Sequence, residues 1–127
     1  DDAYFNIGLC YFNMNQFGEA IDMYRTVIEQ YPEATISILD GGNEFGRTAA
    51  KCHYAILNCQ LGLGNIDSAK QQINDLESFD SDSYILVDGK KTPFKELGLN
   101  ALSIYEKSLN TWMDLALTII KPLNFYG

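Results

Sequence analysis

The sequence predicts an all-α chain: helical hairpins stacked into a solenoid, with a short turn-containing insertion and a long C-terminal helix. Three observations predict it. Apolar residues recur at i, i+3, i+4 and i+7 through the first 32 residues, the signature of a helix with one buried face. The same order of small and apolar residues returns 49 residues on, with Ile66 in register with Phe17 and Ala69 with Ala20. Finally, an apolar stripe at helical spacing runs from Phe94 to Ile120, wide enough to face a core.

The elements follow in order. Tyr4, Ile7, Gly8 and Tyr11 mark one face of a first helix. Phe17, Ala20, Ile21, Tyr24, Val27, Ile28 and Tyr31 repeat the rhythm in a second, with the polar "NMNQ" as the turn and Pro32 as the stop, since proline cannot continue a helix. Helices this short are marginal alone in water, so the two must pack on each other. Gly8 and Ala20 are the small residues that let their backbones approach. In the second pair, "HYAILNCQLGLGNIDSAKQQINDLE", Gly64-Asn65 forms the turn, His53 stands for Tyr4, Leu57 for Gly8 and Gln60 for Tyr11. Without the small residue, this pair is expected to pack slightly farther apart. "SFDSDS" closes it with turn-forming side chains. Between the pairs, Gly41-Gly42 turns the chain and Asn43 is expected to cap the next helix. After the second pair, "SYILVDGKKT" reads as two short extended pieces around a tight Asp88-Gly89 turn. Thr92 as cap and Pro93 at the first helical position then open the long helix, in which "ALSIYEKSL" echoes "AIDMYRTVI".

Composition narrows function. The 127 residues are 46% hydrophobic, enough for one folded domain. A net charge of −8 argues against nucleic acid and against anionic membrane surfaces, which need clustered Lys and Arg, and it favours encounter with basic partners. The uncharged tract Leu115–Ile120 is too short to span a bilayer. Cys10, Cys52 and Cys59 are an odd number, which fits a reducing compartment such as the cytoplasm better than a disulfide framework. The chain begins on Asp1 without an initiator Met, which points to an excised fragment or a processed chain.

The candidate chemical motifs are incomplete. "GGNEFGRT" nearly spells a phosphate-cradling loop, but Arg47 replaces its lysine, Glu44 puts negative charge where phosphates would sit, and a helical hairpin offers no parallel sheet. Cys52 and His53 are neighbours on a helix and diverge by about 100°, so they do not form a nucleophile pair. Zinc would need more convergent ligands. All three cysteines are expected to be small packing residues, and His53 a packed histidine. Asp67, Asp75, Asp80 and Asp82 read as solvated surface, and Asp1, Asp2, Glu19 and Asp22 as residues placed near helix starts by the dipole. No cofactor, metal or catalytic residue is expected, and the chain is not expected to be an enzyme.

The stretch "AYFNIGLCYFNMNQFGEAIDMYRTVIEQYP" resembles a tetratricopeptide repeat, whose unit of about 34 residues carries W-x2-L-G-x2-Y…A-x3-F…P. Tyr4 stands at the Trp position, Ile7-Gly8 at the Leu-Gly pair, and Tyr11, Ala20, Tyr24 and Pro32 at the remaining ones. The resemblance divides the single domain into a first repeat of about residues 1–34, an insertion of about 35–46, a degenerate second repeat of about 47–80, and a turn insertion with a capping helix over about 81–127. It covers the first 80 residues well and the rest poorly.

The resemblance implies a protein-interaction module in which the first helix of each pair lines a groove for an extended peptide or a partner's helix. Here that face comprises Asp2, Phe5, Asn6, Leu9, Phe12 and Asn13, then Lys51, Tyr54, Ala55 and Asn58. Some family members clamp a peptide's C-terminal carboxylate with Lys, Asn and Arg. Asn6 and Lys51 match two of those places, but Ala55 stands where the Arg is wanted, so bidentate capture is lost. The groove is instead apolar and aromatic, suited to a basic or apolar protein or peptide partner. It is either open or filled by preceding repeats or the long helix. Leu115, Leu117 and Ile119 lie off the main stripe of that helix, which offers a second role: an assembly segment of a larger scaffold, contacting a neighbour or a second copy. Such repeats serve in bacterial envelopes as well as the cytoplasm, which leaves localisation open.

Overall fold

The computed structural model describes residues 2–37, 42–79 and 82–126, with side chains described as far as residue 119. The chain runs α1 (Asp2–Asn13), α2 (Phe17–Gln30), β1 (Glu44–Phe45), α3 (Thr48–Gly62), α4 (Ile66–Leu76), a 3-10 turn (Glu77–Phe79), β2 (Tyr84–Val87), β3 (Lys90–Pro93) and α5 (Phe94–Tyr126). Helices dominate, but the all-α expectation needs one amendment: β1, β2 and β3 pair as an antiparallel sheet in that order. Gly41, Asp1, Asp80 and the side chain of Ile120, each given a role above, lie outside the described residues.

The two hairpins close on the same backbone geometry, 49 residues apart. In the first, Asn15 adopts φ 60°, and the Gln16 amide donates to the Tyr11 carbonyl at 2.9 Å. In the second, Gly64 adopts φ 78°, and the Asn65 amide donates to the Gln60 carbonyl at 2.8 Å. This is the left-handed helix terminator in which the residue beyond the turn reaches back to cap an orphan carbonyl. The side chains at the two carbonyl positions differ, Tyr11 and Gln60, but the bond is between backbones and survives the difference. Ala20 and Ala69 are both fully buried.

α1 packs on α2, α2 on α3, α3 on α4, and α5 lies across α3 and α4. A Cβ built on Gly8 would stand 2.7 Å from Tyr24 Cε1, so α1 and α2 meet where only hydrogen fits. In α3 the corresponding Leu57 is fully buried, with its Cδ1 2.9 Å from where a Cβ on Gly98 would be. The small residue missing from α3 is thus supplied by α5. Around these contacts Tyr24, Val27, Cys52, Ile56 and Cys59 form one core cluster, and Leu57, Ala69, Ile73 and Leu102 a second.

Three local expectations are corrected. Asn43 does not cap α3: its carbonyl accepts from the Leu86 amide at 2.8 Å and its side-chain amide donates to the Leu86 carbonyl at 3.2 Å. That pairing draws Asn43 to the sheet, and α3 begins only after Arg47. Thr92 and Pro93 do not open α5, because β3 pairs them with Ile85 and Tyr84. Cys10 is not a packing residue; it is exposed, while Cys52 and Cys59 are buried. The expected tight turn is present between β2 and β3: Asp88 and Gly89 adopt φ 52° and 78°, the conformation in which a two-residue loop matches the twist of its strands.

The near-phosphate loop is a structural joint. Gly46 has φ 103°, and a Cβ there would run into the backbone of Asp82 and Ser83. Arg47 donates from its guanidinium to the Pro32 carbonyl, pairs with Glu33 at 3.6 Å, and lies 5.4 Å over the Phe79 ring. Its amide donates to Ser83 Oγ at 3.0 Å. Gly46 and Arg47 are therefore engaged in tying α2, the sheet and the end of α4 together.

Candidate functional site

The two inner faces of α1 and α3 are built by helical spacing. Phe5, Leu9 and Phe12 succeed each other at i, i+4 and i+7 on α1, as do Lys51, Tyr54 (or Ala55) and Asn58 on α3, so each set shares one side of its helix. These residues line one concavity of about 170 Å³, with Tyr24 of α2 among its lining residues. Three further residues complete it from outside the hairpins: Glu44 of β1, Ile85 of β2 and Phe94 at the start of α5. Asp2 and Asn6 line a smaller concavity beside it, shared with Phe5 and Lys51. Asn13 is exposed and lines neither.

The aromatic residues have two duties. Phe5 and Phe12 are half-buried and pack against the core, Phe5 with its ring 5.2 Å from Tyr24 and Phe12 5.5 Å from Phe17. Of the three α1 residues, only Leu9 is freely exposed, at 43%. On the α1 side, the concavity therefore presents one exposed leucine between two anchored rings.

Lys51 is engaged within the groove. Its ammonium lies 2.6 Å from Glu44 Oε2 and 4.1 Å over the Phe5 ring, so charge and ring quadrupole both hold it. A lysine neutralised in this way, with Ala55 in the place of an arginine, is a poor clamp for a carboxylate. Glu44 Oε2 itself is buried, and the contact with Lys51 lacks hydrogen-bond alignment.

Burial pushes the Cys52 thiol up to about 12, opposed by the Lys51 charge, and pushes Cys59 up to about 11. Both are neutral thiols at physiological pH, the unreactive form. Burial, then the neighbouring cysteines, also raise the Tyr24 hydroxyl. His53 is partly buried, with Nδ1 2.8 Å from Gln72 Oε1 and 3.8 Å from Asp75 Oδ2. Among the described residues, no group of three His, Cys, Asp or Glu side chains could hold a metal ion, and no helix is long and apolar enough to cross a membrane.

Glu44, Ile85 and Phe94 were not anticipated as site residues. Phe94 was legible as part of the α5 stripe. The signal for Ile85 was the extended "YILV" run, whose alternation places every second side chain on one face. Nothing in the sequence assigned Glu44 to the groove, because its position depends on pairing with Ile85 across 41 residues.

The arrangement is a helical-repeat concavity with apolar and aromatic walls. Residues 1–33 match the family model of the tetratricopeptide repeat, which supports the resemblance drawn from the sequence. Tetratricopeptide repeats are in general non-enzymatic modules that mediate protein–protein interaction. No curated protein and no solved structure matches the chain.

Proposed function

We propose that the chain is a non-enzymatic interaction module, the two hairpins forming a short helical solenoid whose concave side receives a partner peptide or helix. The observation that carries this reading is the meeting of Leu9 and its flanking rings on α1 with Tyr54, Ala55 and Asn58 on α3 around one apolar concavity. A preformed apolar pocket with few polar groups is the usual setting for an anchor side chain, and its rigidity lowers the ordering cost of binding.

Because Phe5 and Phe12 also support the core, the clean probe is Leu9. A random dodecamer display library selected on the wild-type chain should enrich a consensus with an apolar anchor. Leu9→Ala should weaken the selected peptides about fivefold to tenfold, since roughly half of a leucine's burial, about 1 kcal/mol, is lost. Enriched peptides that bind Leu9→Ala as well as wild type would refute the groove.

A second reading, an assembly segment acting through α5, is favoured by one observation. From Lys107 to Ile119, α5 exposes Leu109, Trp112, Met113, Leu115, Leu117 and Ile119, with Trp112 at 67%. Deleting the chain beyond Leu109 separates the two: loss of assembly with peptide binding intact supports this reading, and loss of peptide binding opposes it.

A further inference from the structure

Resting on the groove reading above, we propose that the occupant carries a basic side chain, Lys or Arg, beside its apolar anchor, and that Lys51 is a built-in competitor that this cation displaces from Glu44 and Phe5.

Three features of the site lead to a cation rather than an anion or a neutral group. The first is the ring content of the walls. Phe5, Phe12, Tyr24, Tyr54 and Phe94 line the concavity, and aromatic faces attract cations and disfavour anions. The second is Glu44. Its Oε2 is buried and accepts no aligned hydrogen bond, although a carboxylate oxygen in such a place is stabilised by a well-directed donor. Lys51 supplies the charge at 2.6 Å but not the alignment; a donor arriving from the mouth of the groove can supply both. The third is the whole-molecule charge of −8, which draws basic segments to the surface before any contact forms.

Lys51 then shows what the site accepts. Its ammonium already sits 4.1 Å over Phe5 while touching Glu44. It stands in for the partner's own cation. Lysine is suited to being displaced, because its head is strongly hydrated and its four-carbon stem flexible. The Lys51 and Glu44 side chains are 26% and 32% exposed, so Lys51 can move into water as another cation takes its place, and the charge pair at Glu44 is kept. The exchange therefore costs little, and the apolar anchor provides the binding while the cation sets its selectivity. Glu44 belongs to β1 and is fixed by pairing with Ile85, so the acceptor stays in place when Lys51 leaves. An acidic partner would have to displace that fixed Glu44 from Lys51, against the charge of the whole chain.

The test uses three synthetic dodecamers that share the apolar anchor selected above and carry Lys, Gln or Glu at the position next to it, measured by fluorescence anisotropy at low and high salt. Wild type should prefer Lys over Gln over Glu, and Lys51→Met should tighten the Lys peptide about threefold to tenfold, the worth of one partly exposed ion pair. Glu44→Gln should erase the Lys preference while leaving the Gln peptide unchanged, with circular dichroism confirming that both variants fold. Equal binding of the three peptides, still sensitive to Leu9→Ala, would overturn this inference and leave the groove reading standing. A preference for Glu would also overturn it. Binding of none of the three would sink both.

Discussion

Gly8 is the point at which the packing of the first hairpin can be tested against a number. Changing it to alanine has two opposed effects. In a helix interior, alanine is favoured over glycine by about 0.5–1 kcal/mol, because glycine loses more backbone freedom on folding. Against that, the new Cβ would lie 2.7 Å from Tyr24 Cε1 and 3.0 Å from both Cδ1 and Cζ. Tyr24 is 1% exposed and its ring is held by Phe5, so it cannot swing aside and the helices must separate. Overpacking of this kind costs about 1–3 kcal/mol. The steric cost outweighs the helix-propensity gain, and Gly8→Ala should destabilise the chain by about 1–2 kcal/mol. Gly18, in the first turn of α2, is the control. Nothing lies within 4 Å of its would-be Cβ, so Gly18→Ala should gain a few tenths to about 1 kcal/mol.

Urea unfolding followed by circular dichroism reads both. With a slope of about 1–3 kcal/mol per molar, the Gly8→Ala midpoint should fall by roughly 0.5–1 M and the Gly18→Ala midpoint should not fall. Reducing the ring with Tyr24→Leu should make Gly8→Ala less damaging in that background, the non-additivity expected of touching residues. A Gly8→Ala midpoint equal to or above wild type would refute the reasoning, because α1 and α2 would then not meet ring against backbone.

Four further outcomes are expected. At pH 8, iodoacetamide should modify one thiol, Cys10, while Cys52 and Cys59 react only in denaturant. Because burial raises the latter two from 9.0 to about 12 and about 11, their neutral forms stabilise the fold fully below pH 9, and that contribution should shrink as pH rises through 11 and 12, seen as a falling urea midpoint. Gly89→Ala places a side chain at φ 78° and should cost about 1–2 kcal/mol, with faster amide exchange in β2 and unchanged exchange in α1. Deletion beyond Leu109 removes helix whose described side chains, residues 110–119, are nearly all exposed and should leave the melting of the remaining domain unchanged; a lowered melting temperature would mean that the distal half of α5 packs on the body.

The helices were legible because each carries its own instruction. The period of Tyr4, Ile7, Gly8 and Tyr11 needs no knowledge of the rest of the chain, and neither does the Asp88-Gly89 turn. The register between hairpins was legible for a similar reason: Ala20 and Ala69 repeat at the same place in each pair, and both are fully buried. The errors lie where a strand claims a residue with the chemistry of a helix start. Asn43 has the chemistry of a cap and is drawn to Leu86, 43 residues away, while Thr92-Pro93 has that of a helix opening and is held by the neighbouring strand of its own hairpin. Local preference of this kind is worth about 1 kcal/mol, which a few ladder hydrogen bonds and a packed sheet face outweigh. Cys10 shows a different failure. Its register with Cys59 is correct, but Cys59 is covered by α2 and by the neighbouring cluster, whereas α1 is the outer helix of the described chain. Equivalent positions in a repeat share backbone geometry without sharing neighbours.

The same distinction explains the groove. Its repeat-derived half, Phe5 to Phe12 and Lys51 to Asn58, follows from helix spacing once the register is known. Its other half comes from the parts that depart from the repeat. β1 lies in the excess chain between hairpins, and β2 with β3 replaces the helix that would precede α5 in a regular array. Their pairing carries Glu44 and Ile85 to one end of the concavity, next to Phe94. A regular stack would leave the concave face open along its length. Here the sheet turns it into a bounded pocket and sets a carboxylate in its wall. The selectivity proposed for the site therefore resides in the irregular segments, and transplanting residues 42–47 and 84–93 onto a regular two-hairpin scaffold should transfer the preference for a basic peptide. Transplanting the α1 and α3 faces alone should transfer only the apolar anchor. If the faces alone carried the basic preference, Glu44 would not be its source.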